Sequence, residues 1–164
     1  MKKYLSIILV LVVLSCREQR SNSCEDFSIS ISDQYYNYDL KTGIFKIDAI
    51  NFIDTIKLNA NQKDKIFKAF YKFNIDSISG KKSIFSKKHS FPDFGDTIKI
   101  NFKDIEKSSI YISGQVLNKM ELDNVGTDVY EFKNNIFVVL KTNQDYKKCI
   151  DYLEANYKNL PKSL

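Results

Sequence analysis

Residues 52–74 read FIDTIKLNANQKDKIFKAFYKFN, and the periodicity changes partway along. Thr55–Leu58 alternates apolar with polar residues, as a half-buried strand does. From Asn61 the apolar positions are Ile66, Phe67, Phe70 and Phe73, with lysines at 63, 65, 68 and 72 between them. That spacing predicts one apolar helix face over about 61–73, with Ile66, Phe70 and Phe73 against a sheet. Asn59 or Asn61 can cap its start, and Asn74 ends the pattern.

Strand patterns lie on both sides. Upstream, Phe27–Ser32 alternates strictly as FSISIS. Asp33-Gln34 turns the chain into Tyr35–Leu40, Lys41-Thr42-Gly43 is a second turn signal, and Ile44–Phe52 is another strand candidate. Short links between these runs predict an antiparallel meander. Downstream, Thr97–Lys103 and Ser109–Ser113 alternate again, with Ile98, Ile100, Phe102, Ile110 and Ile112 inward. Val116–Leu122 and Val129–Phe132 are weaker strand candidates. Asn134-Asn135 reads as a turn. Ile136–Leu140 is a continuous apolar run, as in a central strand covered on both faces. Asn143 caps a second helix over about 144–158, whose apolar face holds Tyr146, Ile150, Leu153 and Tyr157 beside Cys149. Strands come in runs rather than alternating with helices. The expectation is therefore α+β: an antiparallel sheet with two helices, about 61–73 and 144–158, on one face.

Residues 76–96 read as a long loop, a kind of segment that is often functional. The octets FIDTIKLN (52–59) and FGDTIKIN (94–101) agree at six of eight positions. A duplicated strand–helix unit would put a helix after the second copy. KDIEKSSIYIS (103–113) has no helical face, so the match is read as two strands using one residue code.

Ahead of this domain the chain opens MKKYLSIILVLVVLSCREQRSNSC. A positive start, an apolar run over Leu5–Leu14 broken by Ser6, and a small-residue end make the plan of a secretory signal. The run falls short of the roughly 20 apolar residues a spanning helix needs. Val13-Leu14-Ser15-Cys16 resembles the lipobox of bacterial prolipoproteins, with Ser15 in the small slot, Val13 in place of the commoner Leu, and Leu14 bulkier than usual. The resemblance covers residues 1–16. It implies cleavage before Cys16, acyl chains of the palmitate kind on the Cys16 sulfur, and acylation of the new amino group. Two or more acyl chains hold a protein to a bilayer where one is marginal, each buried CH₂ contributing roughly 0.8 kcal/mol. The expected plan is a signal peptide over 1–15, a polar tether over 16–25 and one α+β domain over 26–164. The protein would be exported and lipid-anchored to a bacterial membrane, facing the periplasm or the cell surface. Fully stretched, REQRSNS (17–23) spans about 25 Å, which keeps the domain near the bilayer. The body resembles small bacterial lipoproteins, a likeness that carries no function.

With Cys16 assigned to lipid, two of the three cysteines are left. Two readings stand. In an oxidising compartment Cys24 and Cys149 form a disulfide; otherwise Cys149 is a small buried apolar residue and Cys24 an idle thiol. The formal net charge of +5 is mild and mixed along the chain, and it drops further when Lys2 and Lys3 leave with the signal. With no basic arm, nucleic acid is not an expected partner.

Candidate chemistry is sparse. His89 is the only histidine, so any Ser–His or Cys–His arrangement must use it, and it sits in a lysine-rich loop. No GxSxG, HExxH, Walker-type or GxGxxG motif occurs, so no cofactor is expected. One histidine and no close cysteine pair after Cys16 make a poor zinc site. Asp93 and Asp96 flank Phe94-Gly95 and are the carboxylate pair to watch, although Asp beside Gly is ordinary turn chemistry. Lys81, Lys82, Lys87 and Lys88 bracket SIFS (83–86) and suit an anionic bilayer or a partner; the plainer reading is a solvated loop. Tyr35, Tyr36 and Tyr38 cluster on one early strand and suit a protein or glycan contact if they face out; the plainer reading is core aromatics with polar tips at the rim.

The expected function is a membrane-anchored lipoprotein with a non-catalytic binding or interaction domain in the cell envelope, its partner an envelope protein or glycan. The alternatives are an envelope hydrolase working through carboxylates such as Asp93 and Asp96, and a structural subunit of an envelope complex.

Overall fold

The computed structural model describes residues 26–87 and 90–160. Cys16, Cys24, Lys88 and His89 lie outside them, as do all the residues expected to form a signal peptide (1–15) and a tether (16–25). Among the described residues seven strands form one sheet: β1 (Phe27–Ser32), β2 (Asn37–Asp39), β3 (Ile44–Ile47), β4 (Phe52–Thr55), β5 (Gly80–Ile84), β6 (Gly95–Phe102) and β7 (Ile105–Ser113), in the order β4-β3-β2-β1-β6-β7-β5. The longer helices are α1 (Ala60–Lys72), α2 (Asn124–Leu140) and α3 (Gln144–Ala155). The class is α+β.

The first half is the expected meander, β1 to β4 each antiparallel to the next. Gly43 adopts φ +77° in the β2–β3 turn, and a Cβ there would meet the Ile56 carbonyl oxygen at 2.7 Å, so both backbone and space call for glycine. β6 pairs antiparallel with β1, joining Ile29 to Ile100 and Ile31 to Ile98. The β6–β7 hairpin turns on Lys103 and Asp104, both at positive φ (49° and 63°), the geometry of a tight two-residue hairpin. A register shift beside Ile100 and Asn101 leaves Lys107 bulged. Its ammonium donates to the Asp76 carbonyl and lies 5.7 Å over the Phe27 ring.

One sheet face carries Phe27, Ile29, Ile31, Tyr38, Phe45, Ile98, Ile100 and Ile110, all buried. The helices cover this face. Phe70 of α1 meets Phe27 with ring centroids 5.1 Å apart and Phe132 of α2 at 5.9 Å. Tyr152 of α3 stacks on Phe52 at 4.0 Å. The other face, with Lys46, Lys99, Asn101 and Ser109, is polar.

Both expected helices form, over Ala60–Lys72 and Gln144–Ala155. Asn59 caps α1 in a capping box: its side chain accepts from Gln62 N at 2.9 Å, and Gln62 Oε1 accepts from Asn59 N at 3.1 Å. Asn143 Oδ1 accepts from Tyr146 N at 3.0 Å and caps α3. α3 ends short of 158, and a brief 3-10 turn over Tyr157–Asn159 follows.

Five local expectations are corrected. Thr55–Leu58 is mostly the link from β4 to α1 rather than a strand. Val116–Leu122 holds a 3-10 turn over Lys119–Glu121. Val129–Phe132 and Ile136–Leu140 are not strands but parts of α2, which Asp123 caps by accepting from Gly126 N at 2.7 Å. The buried positions Gly126, Val129, Phe132, Ile136 and Val139 recur every three or four residues, and burial along that stripe outweighs the β preference of valine and isoleucine. Residues 76–96 are not all loop, since Gly80–Ile84 forms β5. It pairs parallel with β7, so the otherwise antiparallel sheet has one parallel edge.

Candidate functional site

The sheet gives the domain two ends. β1 begins at Phe27, paired with Phe102, so residues 1–25 join at the end holding the β6–β7 hairpin. This end is termed proximal. The distal end holds the link after Ser32, the 85–94 loop and the 114–123 link, since Ser32 pairs with Thr97, Gly95 with Ser113 and Ile84 with Ile112.

At the distal end two loops are stitched together. Ser90 N donates to Gln115 Oε1 at 2.8 Å, and Gln115 Nε2 donates to the Ser90 carbonyl at 2.6 Å. Ser86 Oγ bonds Glu121 Oε2 at 2.6 Å, Gly114 N donates to the Phe94 carbonyl at 2.8 Å, and Tyr130 OH donates to the Leu117 carbonyl at 3.1 Å. On this frame stand large apolar side chains in water: Phe91 and Leu117 at 81 % exposure and Met120 at 88 %. Scattered single apolar residues are ordinary on a surface, whereas apolar patches mark interaction sites; these three stand on adjoining loops. Exposed Lys87 and Lys119 lie on the same loops. The Lys119 ammonium bonds Glu131 at 2.6 Å.

The residues expected to bind are only partly brought here. Lys81 and Lys82 are exposed on β5, the sheet edge, where lysine also discourages edge-to-edge pairing. Lys87 follows on the distal loop. The tyrosines separate. Tyr36 and Tyr38 are core side chains, and Tyr38 OH is buried without a hydrogen-bond partner among the described residues. Burial pushes both phenols far above their ordinary range. Tyr35 reaches the surface and meets Tyr157, hydroxyl to hydroxyl at 3.0 Å.

Asp93 and Asp96 are engaged separately. Asp93 Oδ1 accepts from Ser113 Oγ at 2.8 Å. Asp96 bonds the Lys133 ammonium of α2 at 3.0 Å, a largely covered pair. Beside Asp96, Asp33 accepts from the N–H groups of Tyr35 and Tyr36 at 2.6 and 2.8 Å. Burial, with repulsion from Asp96, holds the Asp33 carboxyl above its ordinary pKa despite those bonds. A cleft of about 140 Å³ lies between Asp33, Gly95, Asp96 and Gly114, below the roughly 300–1,000 Å³ of small-molecule sites. Among the described residues no group of three or more His, Cys, Asp or Glu is placed to hold a metal.

Cys149 is buried and, among the described residues, unpaired; burial chiefly, with Asp54 and Asp145 adding, pushes its thiol up to about 11. Cys24 lies outside the described residues, and its pairing with Cys149 lies outside them too.

A larger cavity lies at the proximal end, between the first half of α1 and the ends of β1 and β2. It measures about 490 Å³ and is lined by Phe27, Ile29, Leu40, Leu58, Ile66 and Phe67, with Lys41, Lys63 and Asp64 as its charged residues. Sequence reading missed it because three separate segments build it. It also missed Leu117 and Met120, whose signal was two large apolar residues in a stretch with no apolar face to join. No family model, curated protein or solved structure matches the chain.

Proposed function

We propose that this protein is a membrane-anchored lipoprotein whose domain is a non-catalytic binding module, docking an envelope protein through its distal end. The observation that carries the reading is the placement of Leu117 and Met120, almost fully exposed on stitched loops, at the end of the sheet opposite the point where residues 1–25 join. A chain held at Cys16 through the polar tether would present that end away from the bilayer. Apolar side chains backed by a hydrogen-bonded frame suit a protein surface, where a few fully desolvated anchors supply most of the binding energy, and exposed Lys87 on the same loops favours an acidic rim on the partner. The carboxylate hydrolase reading is weaker, because Asp93 and Asp96 are each engaged by a different structural partner.

Two experiments test this. Feeding cells an alkyne analogue of palmitate labels the full chain and fails to label Cys16→Ala; equal labelling of both would remove the anchor. A photo-cross-linking residue at Leu117 or Met120 in the anchored protein captures one discrete partner that the same residue at Lys99, on the polar face, does not. Identical capture from Lys99, or none from the distal positions, would remove the docking end.

A further inference from the structure

The proximal groove has a lining and a position that fit one kind of ligand. Its walls are mostly apolar, and its volume of about 490 Å³ falls within the range of small-molecule sites. Its charges are not balanced. Asp64 is held by Lys68 at 2.8 Å on the same helix, and Lys41 shares Asp104 at 3.3 Å. Lys63 has no side-chain partner among the described residues. An apolar slot with an unneutralised ammonium beside it favours an apolar body that carries an anionic head. Phe27, in the lining, is the first residue of β1. The groove therefore lies at the end of the domain where the tether joins.

We infer that the groove takes the acyl chain of an anionic single-chain amphiphile drawn from the membrane, with Lys63, supported by Lys41, beside its head group. The source of the ligand rests on the anchored reading above; the fit of the groove does not. α1 and the β1–β2 end form the two walls. Each methylene placed between them leaves water, so a chain longer by two carbons binds about tenfold tighter until the groove is full. The head group gains from the lysine while staying in contact with solvent at the mouth.

The test uses the full chain in bilayer nanodiscs of zwitterionic lipid doped with a photoactivatable tetradecanoate, and in parallel with the corresponding uncharged alcohol. After irradiation, adducts are mapped by mass spectrometry. Adducts of the carboxylate should concentrate on peptides holding Leu40 and Leu58–Phe67 and be displaced by unlabelled tetradecanoate. Ala60→Trp, at the exposed first position of α1, should fill the mouth and remove the adducts of both probes, with an unchanged circular dichroism spectrum showing that the domain stays folded. Lys63→Gln should lower the carboxylate adduct about fivefold, the share of one near-surface lysine, and leave the alcohol adduct as it was. Adducts spread evenly over the chain, or equal in Ala60→Trp, overturn the inference. In a parallel sample treated with a bifunctional lysine-reactive cross-linker, groove peptides joined to residues before 26 or to a second copy overturn it in favour of a protein occupant. Either failure leaves the Leu117 and Met120 cross-links untouched, so loss of the groove reading and loss of the docking reading are separable.

Discussion

FIDTIKLN and FGDTIKIN share six of eight residues and meet different fates. The first, 52–59, begins as β4 at the sheet edge, leaves the sheet after Thr55, and ends at Asn59 as the cap of α1. The second, 94–101, runs through β6 between β1 and β7 and ends at Asn101, whose Nδ2 donates to Ser28 Oγ at 3.2 Å. Ile56 and Ile98, at the same place in each octet, are both wholly buried. The shared code thus fixes which side chains turn inward but not whether the backbone stays in the sheet. The neighbours decide that. β3 pairs the first octet only as far as Thr55, whereas β7 flanks the second from Gly95 and β1 from Thr97, both through to Asn101. The residues just downstream decide it too, because NANQKDKIF starts a capped amphipathic helix and FKDIEKS does not.

The sharpest way to break the comparison is to exchange its second residue. Ile53 is 66 % exposed on the edge strand. A Cβ at Gly95 would run into the Ile112 carbonyl oxygen and come within 2.9 Å of Ser113 Cα, both backbone atoms that cannot swing away. Gly95→Ile is therefore expected to destabilise the domain by about 4 kcal/mol or more, a large part of a typical total of about 5–15. Ile53→Gly should cost about 1 kcal/mol or less. Urea unfolding midpoints read both. Similar losses for the two would mean that the octets do not occupy different places in the sheet.

The next effect should be shared. Ile56→Ala and Ile98→Ala each remove a fully buried side chain, and each is expected to cost about 2–5 kcal/mol. If the Ile56 variant loses less than about 1 kcal/mol, the inward position of the first octet does not persist beyond the strand. The aspartates should then diverge. Asp96 is bonded to Lys133 under partial cover, and Asp96→Ala, which strands that ammonium, should cost about 1–3 kcal/mol. Asp54 is exposed, and Asp54→Ala should stay within about 0.5 kcal/mol. Equal effects in thermal denaturation would place both carboxylates in the same kind of environment. At the octet ends, Asn59→Ala removes the helix cap and should cost about 1 kcal/mol, with a matching loss of helical circular dichroism that Asn101→Ala does not show.

The same contrast explains what could be read in advance. The meander, the inward isoleucines of β6 and both asparagine-capped helices were legible because a local pattern and its terminator agree there. α2 was not, because its stripe of Val129, Phe132, Ile136 and Val139 is built from β-branched and aromatic residues interrupted by Asn134-Asn135, and only tertiary burial settles between strand and helix. β5 was not, because Gly80-Lys81-Lys82-Ser83 is exposed along an edge and leaves no alternation to see. Of the candidate site, the lysines of the distal loop were legible as a charge cluster. Their apolar company, Leu117 and Met120, arrives from a link that β7 carries to the same end, and no spacing in the sequence encodes that meeting. The separation of Tyr35 from Tyr36 and Tyr38 depends likewise on the Asp33 turn, which presents one ring outward and sends the next into the core.

The smallest expected effect arises from Asp96, which has Asp33 as a neighbour, a charge environment the first octet lacks. In the folded protein the Asp33 carboxyl binds its proton more readily than in the unfolded chain, chiefly because it is buried and secondarily because Asp96 repels its charge. Ionising Asp33 therefore disfavours the fold. The penalty begins as pH rises past the ordinary aspartate pKa of about 3.9, grows until the raised folded value is passed, and stays constant above it. Asp33→Asn keeps a side-chain oxygen to accept from the N–H groups of Tyr35 and Tyr36 and removes the charge. The variant should melt at a slightly higher temperature than the parent at pH 7, and the two should converge as pH falls below about 3.9. Other carboxylates titrate over the same interval in both proteins, so the difference between the two melting curves isolates Asp33. A difference that does not change with pH would assign the effect to the turn rather than to the charge. A parent more stable than the variant at pH 7 would reverse the sign and place Asp33 in a site that favours its ionised form. Adding Asp54→Asn to each protein should leave the Asp33 difference unchanged, and adding Asp96→Asn should shrink it, because only the second octet sets its aspartate beside Asp33.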